Sequence, residues 1–289
     1  MIIDGKAIAD SIEQEISSKI AGEVFHRRPG LAVVLIGELA PSHAYVKMKK
    51  KGCDRVGINS YIYQFDENIS EHDLLSTIQD LNGDEKIDGI LVQLPLPDHI
   101  LPHKIFASID PGKDIDGFNP VNMGKILLGM SDGFCPCTPL GIKLLFEKLS
   151  IDLTGKNVTI LGRSNIVGKP LAALLMQNSP GLNATVTLAH SKTKDLQAVC
   201  HRADVLVAAI GIPQFITREY IKQGAVVIDV GINRVDDPDA KTGYRLVGDV
   251  DFHSVFEKCS LITPVPKGVG PMTIASLLLN TWTSFRRRI

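Results

Sequence analysis

The feature that most constrains this chain is the alternation of apolar, β-rich runs with segments of helical periodicity. In the first half, strand-like runs at 31–36, 58–63 and 87–94 are separated by helical patterns near 42–52 and 71–81. Such alternation predicts parallel sheets flanked by helices. A chain of 289 residues with 44% hydrophobic content can bury two ordinary cores, so we expect two domains.

The later part of the chain carries a second alternating series and a terminal helix. Strands are predicted at 158–161, 184–189, 205–210 and 225–230, separated by helix-length segments. After a loop rich in proline and glycine, a helix is predicted over about 272–285, with apolar residues that could share one face and pack on the first domain. Those residues are Ile274, Leu277, Leu278 and Trp282.

Turn-forming residues are concentrated between the two series, within 110–137. We therefore predict an α/β fold of two domains. The first comprises residues 1–120 and is completed by the C-terminal helix at 268–289, and the second, residues 121–267, is a Rossmann-type nucleotide-binding domain. A cleft between the two domains is the expected ligand position.

Charge and cysteine content argue against several classes of protein. The chain has 31 Lys+Arg against 32 Asp+Glu, so no overall field favours nucleic acid or an anionic membrane. The N-terminus lacks the basic start and apolar run of a secretory signal, and no stretch approaches the ~20 apolar residues that span a bilayer. The five cysteines are few and odd in number, which favours a reducing cytoplasm over a disulfide framework.

Cys135-Pro136-Cys137 has a spacing that could in principle bind a metal. No second Cys or His pair lies at the spacing that a structural zinc site uses, and a buried thiol is the commoner state. We therefore expect no metal.

Residues 157–170 have the pattern of a strand, a glycine-rich turn and the start of a helix. This arrangement sets phosphate against helix-terminal N–H groups, which makes the turn a candidate dinucleotide site. Gly162 and Gly168 stand six apart, and Ser164 occupies the place of the middle glycine of the usual fingerprint. A purely structural turn between strand and helix is the alternative.

The end of the next strand favours NADP over NAD. Sites specific for NAD place an acidic residue there to hold the ribose 2′-hydroxyl, whereas this strand ends in His190-Ser191-Lys192-Thr193. Arg163 adds a guanidinium able to clamp phosphate, although Arg163 and Lys192 could also be merely solvated. The loop at 229–234 closes a later strand and could offer backbone groups to the nicotinamide end.

In the first domain, Ser42, Tyr45 and Lys49 are spaced so that a helix would place them on one face. The alternative is a solvated, lysine-rich helix face with Ser42 as the N-cap. Of the lysines in 47–51, only Lys49 shares a face with both Tyr45 and Ser42.

Two further positions carry polar groups where the surrounding pattern is apolar or turn-like. Gln93 ends an apolar strand and would need hydrogen-bond partners if buried. Asp114 and Asp116 lie in the inter-domain loop, where either carboxylate could face the cleft or serve the turn.

Six motifs follow one another in order over nearly the whole chain. They are Ser42-x-x-Tyr45-x-x-x-Lys49, the segment 88–97, Lys113-Asp114-Ile115-Asp116-Gly117-Phe118, Pro136-Cys137-Thr138-Pro139, the segment 162–170, and Gly268-Val269-Gly270-Pro271-Met272-Thr273. Together they resemble the motifs of the bifunctional methylenetetrahydrofolate dehydrogenase/methenyltetrahydrofolate cyclohydrolase (FolD) family. One departure is visible, because the family usually carries Gly-Gly where this chain has Lys267-Gly268.

The resemblance implies NADP-dependent oxidation of 5,10-methylenetetrahydrofolate, followed by hydrolysis of the methenyl product to 10-formyltetrahydrofolate, in a homodimer formed through the cofactor domains. It implies that Lys49 is the acid/base of the hydrolysis, that Tyr45 and Gln93 orient it, and that Asp116 binds N–H groups of the pterin ring. The implied substrate-binding residues are Ser42, Gly270, Pro271 and Thr273. The expected cofactor-binding residues are Thr138, Gly162, Arg163, Ser164, Ile166, Gly168, His190, Ser191, Gly231 and Ile232.

Two rival hypotheses stay open at this point. The chain could be another two-domain NADP dehydrogenase, such as one resembling shikimate dehydrogenases, or a catalytically silent nucleotide-binding protein. The set formed by Tyr45, Lys49 and Gln93 argues against the first rival. Residues of the expected type at every catalytic position of the family argue against the second.

Overall fold

The computed structural model describes residues 1–240 and 243–289, and the chain divides into two compact units. The first unit comprises residues 10–137 and 274–289, and the second comprises residues 1–9 and 138–273. The domain bounds expected from the sequence stay a prediction.

The first unit is built on a parallel sheet of three strands, in the order β2-β1-β3. Every residue of the central strand is buried, as expected for a parallel strand that is covered on both faces. The strands are β1 (Gly30–Ile36), β2 (Asn59–Phe65) and β3 (Gly89–Val92). The helices with residues in this unit are α1 (Gly5–Gly22), α2 (Ala40–Val56), α3 (Glu71–Gly83), α4 (Pro102–Ser108), α5 (Pro120–Leu127) and α10 (Val269–Arg288).

The C-terminal part of α10 packs into the first unit through its apolar face. Leu277, Leu278 and Trp282 are buried, as the helical pattern predicted. A side chain at Gly52 of α2 would lie 3.0 Å from Ile274, so a glycine there lets the two helices approach closely. The terminal helix therefore completes the core of this unit.

The second unit contains a doubly wound parallel sheet of five strands, in the order β10-β7-β6-β4-β5. Chain order reverses at β4, which pairs with β5 on one side and β6 on the other, so the carboxyl end of β4 is the topological switch point. The parallel sheets predicted from the alternating pattern are confirmed. The strands are β4 (Asn157–Leu161), β5 (Thr185–Ala189), β6 (Val205–Ala208), β7 (Val226–Asp229) and β10 (Leu261–Ile262).

Several elements of the second unit were not predicted. An antiparallel hairpin joins β8 (Asn233–Asp236) to β9 (Tyr244–Val247) beside the main sheet. The strand predicted at 205–210 ends at Ala208, because the N–H of Ile210 donates to the carboxylate of Asp249.

The helices of the second unit are α6 (Cys137–Lys148), α7 (Gly168–Leu175), α8 (Leu196–His201) and α9 (Phe252–Val255).

Within residues 1–240 and 243–289, every helix is too short or too polar to cross a membrane.

A buried ion pair ties the first unit together. The Asp88 carboxylate is fully buried and accepts two hydrogen bonds from the Arg27 guanidinium, at 2.6 and 2.8 Å, and one from the N–H of Gly30 at 2.8 Å. The hydroxyl of Ser284 in α10 donates to the backbone oxygen of Asp88 at 2.6 Å. The pairing with Asp88 raises the pKa of Arg27. Asp88, which begins one of the sequence motifs, thus links β1, β3 and the C-terminal helix.

We expect Asp88→Asn to lower the free energy of unfolding by about 2–4 kcal/mol, because it leaves the Arg27 charge without its partner in a partly buried place. Urea unfolding followed by circular dichroism measures this change. The control is Asp80→Asn on the exposed face of α3, for which we expect a change within about 0.5 kcal/mol. Equal effects of the two variants would contradict a structural role for the buried pair.

Candidate active site

Helix α2 carries Ser42, Tyr45 and Lys49. The helix begins at Ala40, with Leu39 as the N-cap residue and a proline in the first turn, so the alternative that Ser42 is the N-cap is wrong. Ser42 is buried, whereas Tyr45 is about one-third exposed and Lys49 is half-buried. Burial raises the pKa of the Tyr45 phenol, which keeps it in the neutral form.

A chain of hydrogen bonds connects α2 with the end of β3. The Lys49 ammonium Nζ donates to Oε1 of Gln93 at 2.9 Å, and Nε2 of Gln93 donates to the backbone oxygen of Leu94 at 2.8 Å. The Ser42 hydroxyl lies 3.5 Å from the same oxygen. The backbone N–H of Gln93 donates to Val34 of β1, which fixes the residue at the edge of the sheet. Gln93 is therefore partnered at both ends of its amide, as its place in an apolar segment required.

The amide of Gln93 gives Lys49 a neutral partner. The amide oxygen orients Nζ without carrying a full opposing charge.

The two aspartates of the turn at 113–118 have different environments. Asp114 is buried and its carboxylate accepts hydrogen bonds from the N–H groups of Phe118 and Asn119 and from Nδ2 of Asn122, at 2.8 to 3.2 Å. Burial raises the pKa of Asp114 to about 6, against the effect of those hydrogen bonds. Asp114 thus holds the turn itself.

Asp116 lies within the electrostatic reach of Lys49. Burial raises the pKa of the Asp116 carboxyl, while the charge of Lys49 and a hydrogen bond from the Cys137 thiol lower it in part. A side chain at Gly117 would lie 2.5 Å from the backbone of Pro136, so the segment at 135–137 packs directly on the turn. Cys137 is buried, as the sequence analysis expected, but the Cys-Pro-Cys pattern carried no indication of its hydrogen bond to Asp116.

Close backbone approach explains both glycines of the turn after β4. Gly162 has φ +123°, and a Cβ there would lie 2.1 Å from the backbone oxygen of Ala209. A Cβ at Gly168 would lie 2.0 Å from the backbone oxygen of Gly162. Neither position accepts a side chain without moving the backbone. The turn lies at the switch point of the sheet, where nucleotide sites of this architecture are found.

The Ser164 hydroxyl sits inside this turn. Its oxygen accepts from the N–H of Val167 at 3.1 Å and lies 3.5 Å from the N–H of Gly168. Two N–H groups that could face a phosphate therefore already have an acceptor, while the Ser164 O–H hydrogen remains able to donate. Arg163, Ser164 and Ile166 are exposed on the same turn. Phosphate contacts from side chains are thus better supported here than contacts from helix-terminal N–H groups.

The turn after β5 is closed by its own side chains. The N–H of His190 donates to the hydroxyl of Thr193 at 2.9 Å, and the N–H of Lys192 donates to Nδ1 of His190 at 3.1 Å. Ser191 is exposed at the tip. The turn is therefore pre-formed at the carboxyl end of the strand next to β4, the position at which the sequence predicted recognition of the ribose.

The residues expected at the nicotinamide end and some of those expected to bind substrate lie close together in the second unit. A Cβ at Gly270 would lie 3.5 Å from the side chain of Ile232. Gly231 is buried and Ile232 is exposed. The Thr273 hydroxyl donates to the backbone oxygen of Gly270 at 2.7 Å, which stiffens the first turn of α10. Pro271 in this turn and Thr138 in the first turn of α6 are half-buried.

Lys267, the one departure from the family pattern, has φ +84° and is exposed. This left-handed conformation costs a residue with a Cβ about 1 kcal/mol relative to glycine, which accounts for the family's usual glycine here. The backbone oxygen of Lys267 accepts from the N–H of Lys6 at 3.0 Å, which holds the loop in place.

Among the described residues, 1–240 and 243–289, no group of three or more His, Cys, Asp or Glu side chains is placed to hold a metal. Cys137 instead lies 3.5 Å from the backbone oxygen of Ile115, and burial raises its pKa well above the ordinary value.

The fold and these sites together define a class of protein. A doubly wound parallel sheet with a glycine turn at its switch point is typical of nucleotide-binding α/β proteins. A lysine held by a neutral amide, with a carboxylate nearby, adds a group suited to proton transfer. This combination is that of a nucleotide-dependent α/β enzyme.

Comparison with known proteins identifies the family. Residues 3–116 match the family model described as tetrahydrofolate dehydrogenase/cyclohydrolase, catalytic domain, and residues 136–289 match that of the NAD(P)-binding domain. The chain belongs to the tetrahydrofolate dehydrogenase/cyclohydrolase family. The resemblance stated from the sequence motifs, and the α/β fold with a Rossmann-type domain, are confirmed.

Individual relatives agree with the family models along the whole chain. The bifunctional protein FolD of Protochlamydia amoebophila is 53% identical over 99% of this chain and 98% of its own length. The crystal structure of the bifunctional FolD enzyme from Campylobacter jejuni is 45% identical, with a TM-score of 0.93 over 100% of this chain and 99% of that one. The FolD of Trypanosoma brucei, solved with NADP cofactor and an inhibitor, is 38% identical, with a TM-score of 0.93 over 99% and 97% of the two chains.

We expect Gly162→Ala to lower the free energy of unfolding by at least about 2 kcal/mol, because the new Cβ meets the Ala209 oxygen and the backbone has a positive φ. Thermal and urea unfolding measure the change. The matched control is Gly124→Ala in α5, where a Cβ meets nothing within 4 Å and where alanine favours the helix by about 0.5–1 kcal/mol. A Gly162→Ala protein as stable as the control would contradict the packing described for this turn.

Proposed function

We propose that this chain oxidises 5,10-methylenetetrahydrofolate to 5,10-methenyltetrahydrofolate with NADP, and then hydrolyses the methenyl product to 10-formyltetrahydrofolate. The observation that carries the proposal is the hydrogen bond from Lys49 to Gln93 in a chain of the dehydrogenase/cyclohydrolase family. Both activities are those of the family. The assignments to single residues below are part of the proposal.

The oxidation needs few protein groups. A hydride leaves the methylene carbon for the nicotinamide ring, and the folate is left as the methenyl cation, so no side-chain base is required. What the protein supplies is a fixed approach of the two reacting carbons. The proximity of Gly270, an expected substrate contact, to Ile232, an expected cofactor contact, supports this part of the proposal.

The hydrolysis requires proton transfer. Water attacks the methenyl carbon and gives up one proton. One carbon–nitrogen bond of the ring then breaks as its nitrogen takes a proton, while the remaining hydroxyl proton leaves to solvent as the formyl C=O forms, so one proton is released overall. Lys49 in its neutral form accepts the first proton and returns it to the leaving nitrogen. The positive charge of the bound methenyl substrate favours the neutral lysine, and Gln93 holds Nζ in place without opposing that effect. Tyr45, as a neutral phenol, and Ser42 complete the surroundings of Lys49.

Asp116 is proposed to bind the pterin ring. An ionised carboxylate accepts hydrogen bonds only, which matches the N–H donors of the pterin edge. Asp114 is committed to backbone N–H groups, so Asp116 is the better supported of the two carboxylates.

The proposed NADP site follows the carboxyl ends of β4 and β5. Arg163, with a guanidinium suited to phosphate, and the exposed Ser191 beside His190 would hold the 2′-phosphate. Ser164, Ile166 and Thr138 would contact the rest of the cofactor, and Gly162 and Gly168 shape the turn beneath it. The Trypanosoma brucei relative was solved with NADP, which supports NADP as a cofactor of this family.

The state of the protein in the cell also remains a proposal. A homodimer formed through the cofactor domains and a cytoplasmic location are expected, with no nucleic acid or membrane partner. Light scattering coupled to gel filtration tests the oligomeric state: twice the chain mass of 31.4 kDa supports the dimer, and the single mass contradicts it.

We expect Lys49→Met to lower the rate of methenyltetrahydrofolate hydrolysis by about a hundredfold or more, while some hydride transfer to NADP remains. The methionine keeps most of the side-chain volume but cannot carry a proton. The two activities are measured separately, by loss of the methenyl absorbance and by reduction of NADP. Lys51→Met, on the exposed side of the same helix, is the control and should retain both activities.

A parallel loss of both activities in Lys49→Met would mean that the lysine serves binding. If Lys49→Met hydrolyses methenyltetrahydrofolate at the wild-type rate, Lys49 has no part in the mechanism.

We expect Asp116→Ala to raise the KM for the folate by about 10- to 100-fold with a smaller change in kcat, because a charged acceptor is lost. Burial raises the pKa of Asp116, so the wild-type carboxylate takes up its proton at higher pH than an exposed aspartate does. The folate KM of the wild type should therefore rise as the pH falls through that pKa, and the variant should lack this rise. The control is Asp98→Ala in an exposed loop, and an unchanged folate KM in Asp116→Ala would remove the assignment.

A further inference from the structure

Two buried carboxylates connect the loops that follow β6 and β7, and neither has a part in the mechanism above. Asp229 is the last residue of β7, and Asp249 lies two residues after the end of β9. Their exposed fractions are 3% and 0%. Buried acidic side chains are rare unless fully partnered, so their contacts indicate what they hold together.

Asp249 accepts three hydrogen bonds, two from the loop after β6 and one from Asn233 at the start of β8. Its Oδ2 accepts from the N–H of Ile210 at 2.7 Å and from the N–H of Gly211 at 3.0 Å, and its Oδ1 accepts from Nδ2 of Asn233 at 2.9 Å. Ile210 and Gly211 follow β6, and Asn233 follows the loop at 230–232. One side chain therefore sets the distance between the two loops.

Asp229 in turn fixes the backbone of Asp249. Its Oδ1 accepts from the N–H groups of Gly231 and Asp249 at 3.0 and 2.9 Å, and its Oδ2 accepts from the N–H of Val250 at 3.0 Å. Burial, together with the nearby Asp249 charge, raises the pKa of Asp229 to about 7, against the effect of its N–H partners. Asp229 thus anchors the segment from which Asp249 reaches the loops.

The carboxylates of Asp249 and Asp229 lie where the side chains of two residues would otherwise be, and both residues are glycines. A Cβ at Gly231 would lie 2.3 Å from Oδ1 of Asp249, and a Cβ at Gly248 would lie 1.7 Å from Oδ2 of Asp229. Neither glycine is among the residues with a positive φ, so the requirement comes from the close approach of the carboxylates. The glycine expected at the nicotinamide end is therefore explained by contact with Asp249.

We infer that Asp249 is a positioning residue for the nicotinamide end of the cofactor: its carboxylate holds the loops at 209–211 and 230–233 in the arrangement that receives the ring. The inference rests on the proposed function for the placement of the nicotinamide beside Gly231 and Ile232. These loops follow the carboxyl ends of β6 and β7, the edge at which ligands bind in open parallel sheets. In the part of the chain that the structure describes, the Asp249 carboxylate has no hydrogen bond to the turns at 162–168 and 190–193, which are proposed for the adenosine end.

Asp249→Ala tests the inference through a selective effect. We expect the dissociation constant for NADP to rise at least about tenfold, because two loops lose their shared acceptor. Binding of adenosine 2′,5′-bisphosphate, which has the 2′-phosphate end but no nicotinamide, should stay within about twofold of the wild type. Titration calorimetry measures both. Hydrolysis of methenyltetrahydrofolate without NADP should also stay within about twofold, while NADP reduction falls.

Two further variants separate positioning from stability. Asp251 lies two residues after Asp249 and accepts the N-cap hydrogen bond from the N–H of Ser254. Asp251→Ala removes that bond and should leave NADP binding unchanged. Asp249→Asn keeps an oxygen for Ile210 and Gly211, and the Asn233 amide can turn its oxygen toward the new NH₂ group, so we expect NADP to weaken only about threefold. If Asp249→Ala does not fold, the selective weakening of NADP in Asp249→Asn decides the question.

Equal weakening of NADP and the bisphosphate, a parallel loss of hydrolysis, or unchanged NADP binding in Asp249→Ala would each overturn the inference. Failure of the proposed function can be told apart from failure of this inference, because the proposed function is tested by the activity of the wild-type protein. A wild-type chain that binds NADP but turns over no folate overturns the proposed function, and the comparison of NADP with the bisphosphate still decides the role of Asp249.

Discussion

The parallel pairing of the strands is the constraint on which the functional sites of both units depend. Parallel strands bring their carboxyl ends to one edge, so residues far apart in the chain become neighbours. In the first unit, Gln93 follows β3 and meets Lys49 from the helix that follows β1. In the second unit, the turn at 162–168, the turn at 190–193 and the loop at 230–233 each follow a strand of the one five-stranded sheet.

Close packing of backbone and carboxylates then sets the shape of these edges. Gly162 and Gly168 are required because backbone oxygens occupy the place of a side chain, and Gly231 is required because the Asp249 carboxylate does. The carboxylate of Asp114 is taken up by hydrogen bonds within its turn, whereas that of Asp116 interacts with Cys137 and Lys49. The buried carboxylates of Asp114 and Asp249 accept hydrogen bonds from backbone N–H groups, as low-polarity surroundings demand. The residues proposed to contact ligands are therefore held in place by other residues that have no proposed contact with a ligand.

Much of the fold could be predicted from the sequence because the apolar runs of a parallel sheet are nearly continuous. The strand expected at 31–36 is β1 with one residue added, and the helix expected at 71–81 is α3 with two added. The ends of elements depended on distant residues: the strand after 205 stops early because Asp249, some forty residues later, takes the N–H of Ile210. The different environments of Asp114 and Asp116 could not be predicted either, since they depend on which N–H groups face each carboxylate. The family motifs selected the candidate site residues, but they carried no sign of the hydrogen bonds that hold them.

The central claim is that one chain carries out both the oxidation and the hydrolysis. The most direct test is to incubate the purified wild-type protein with methylenetetrahydrofolate and either NADP or NAD, following reduced cofactor and the methenyl intermediate separately in the same reaction. A bifunctional NADP enzyme should reduce NADP faster than NAD and should accumulate little methenyltetrahydrofolate, because the same protein hydrolyses it. Reduced cofactor with a matching build-up of the methenyl compound, or no reduction while NADP remains bound, would contradict the central claim.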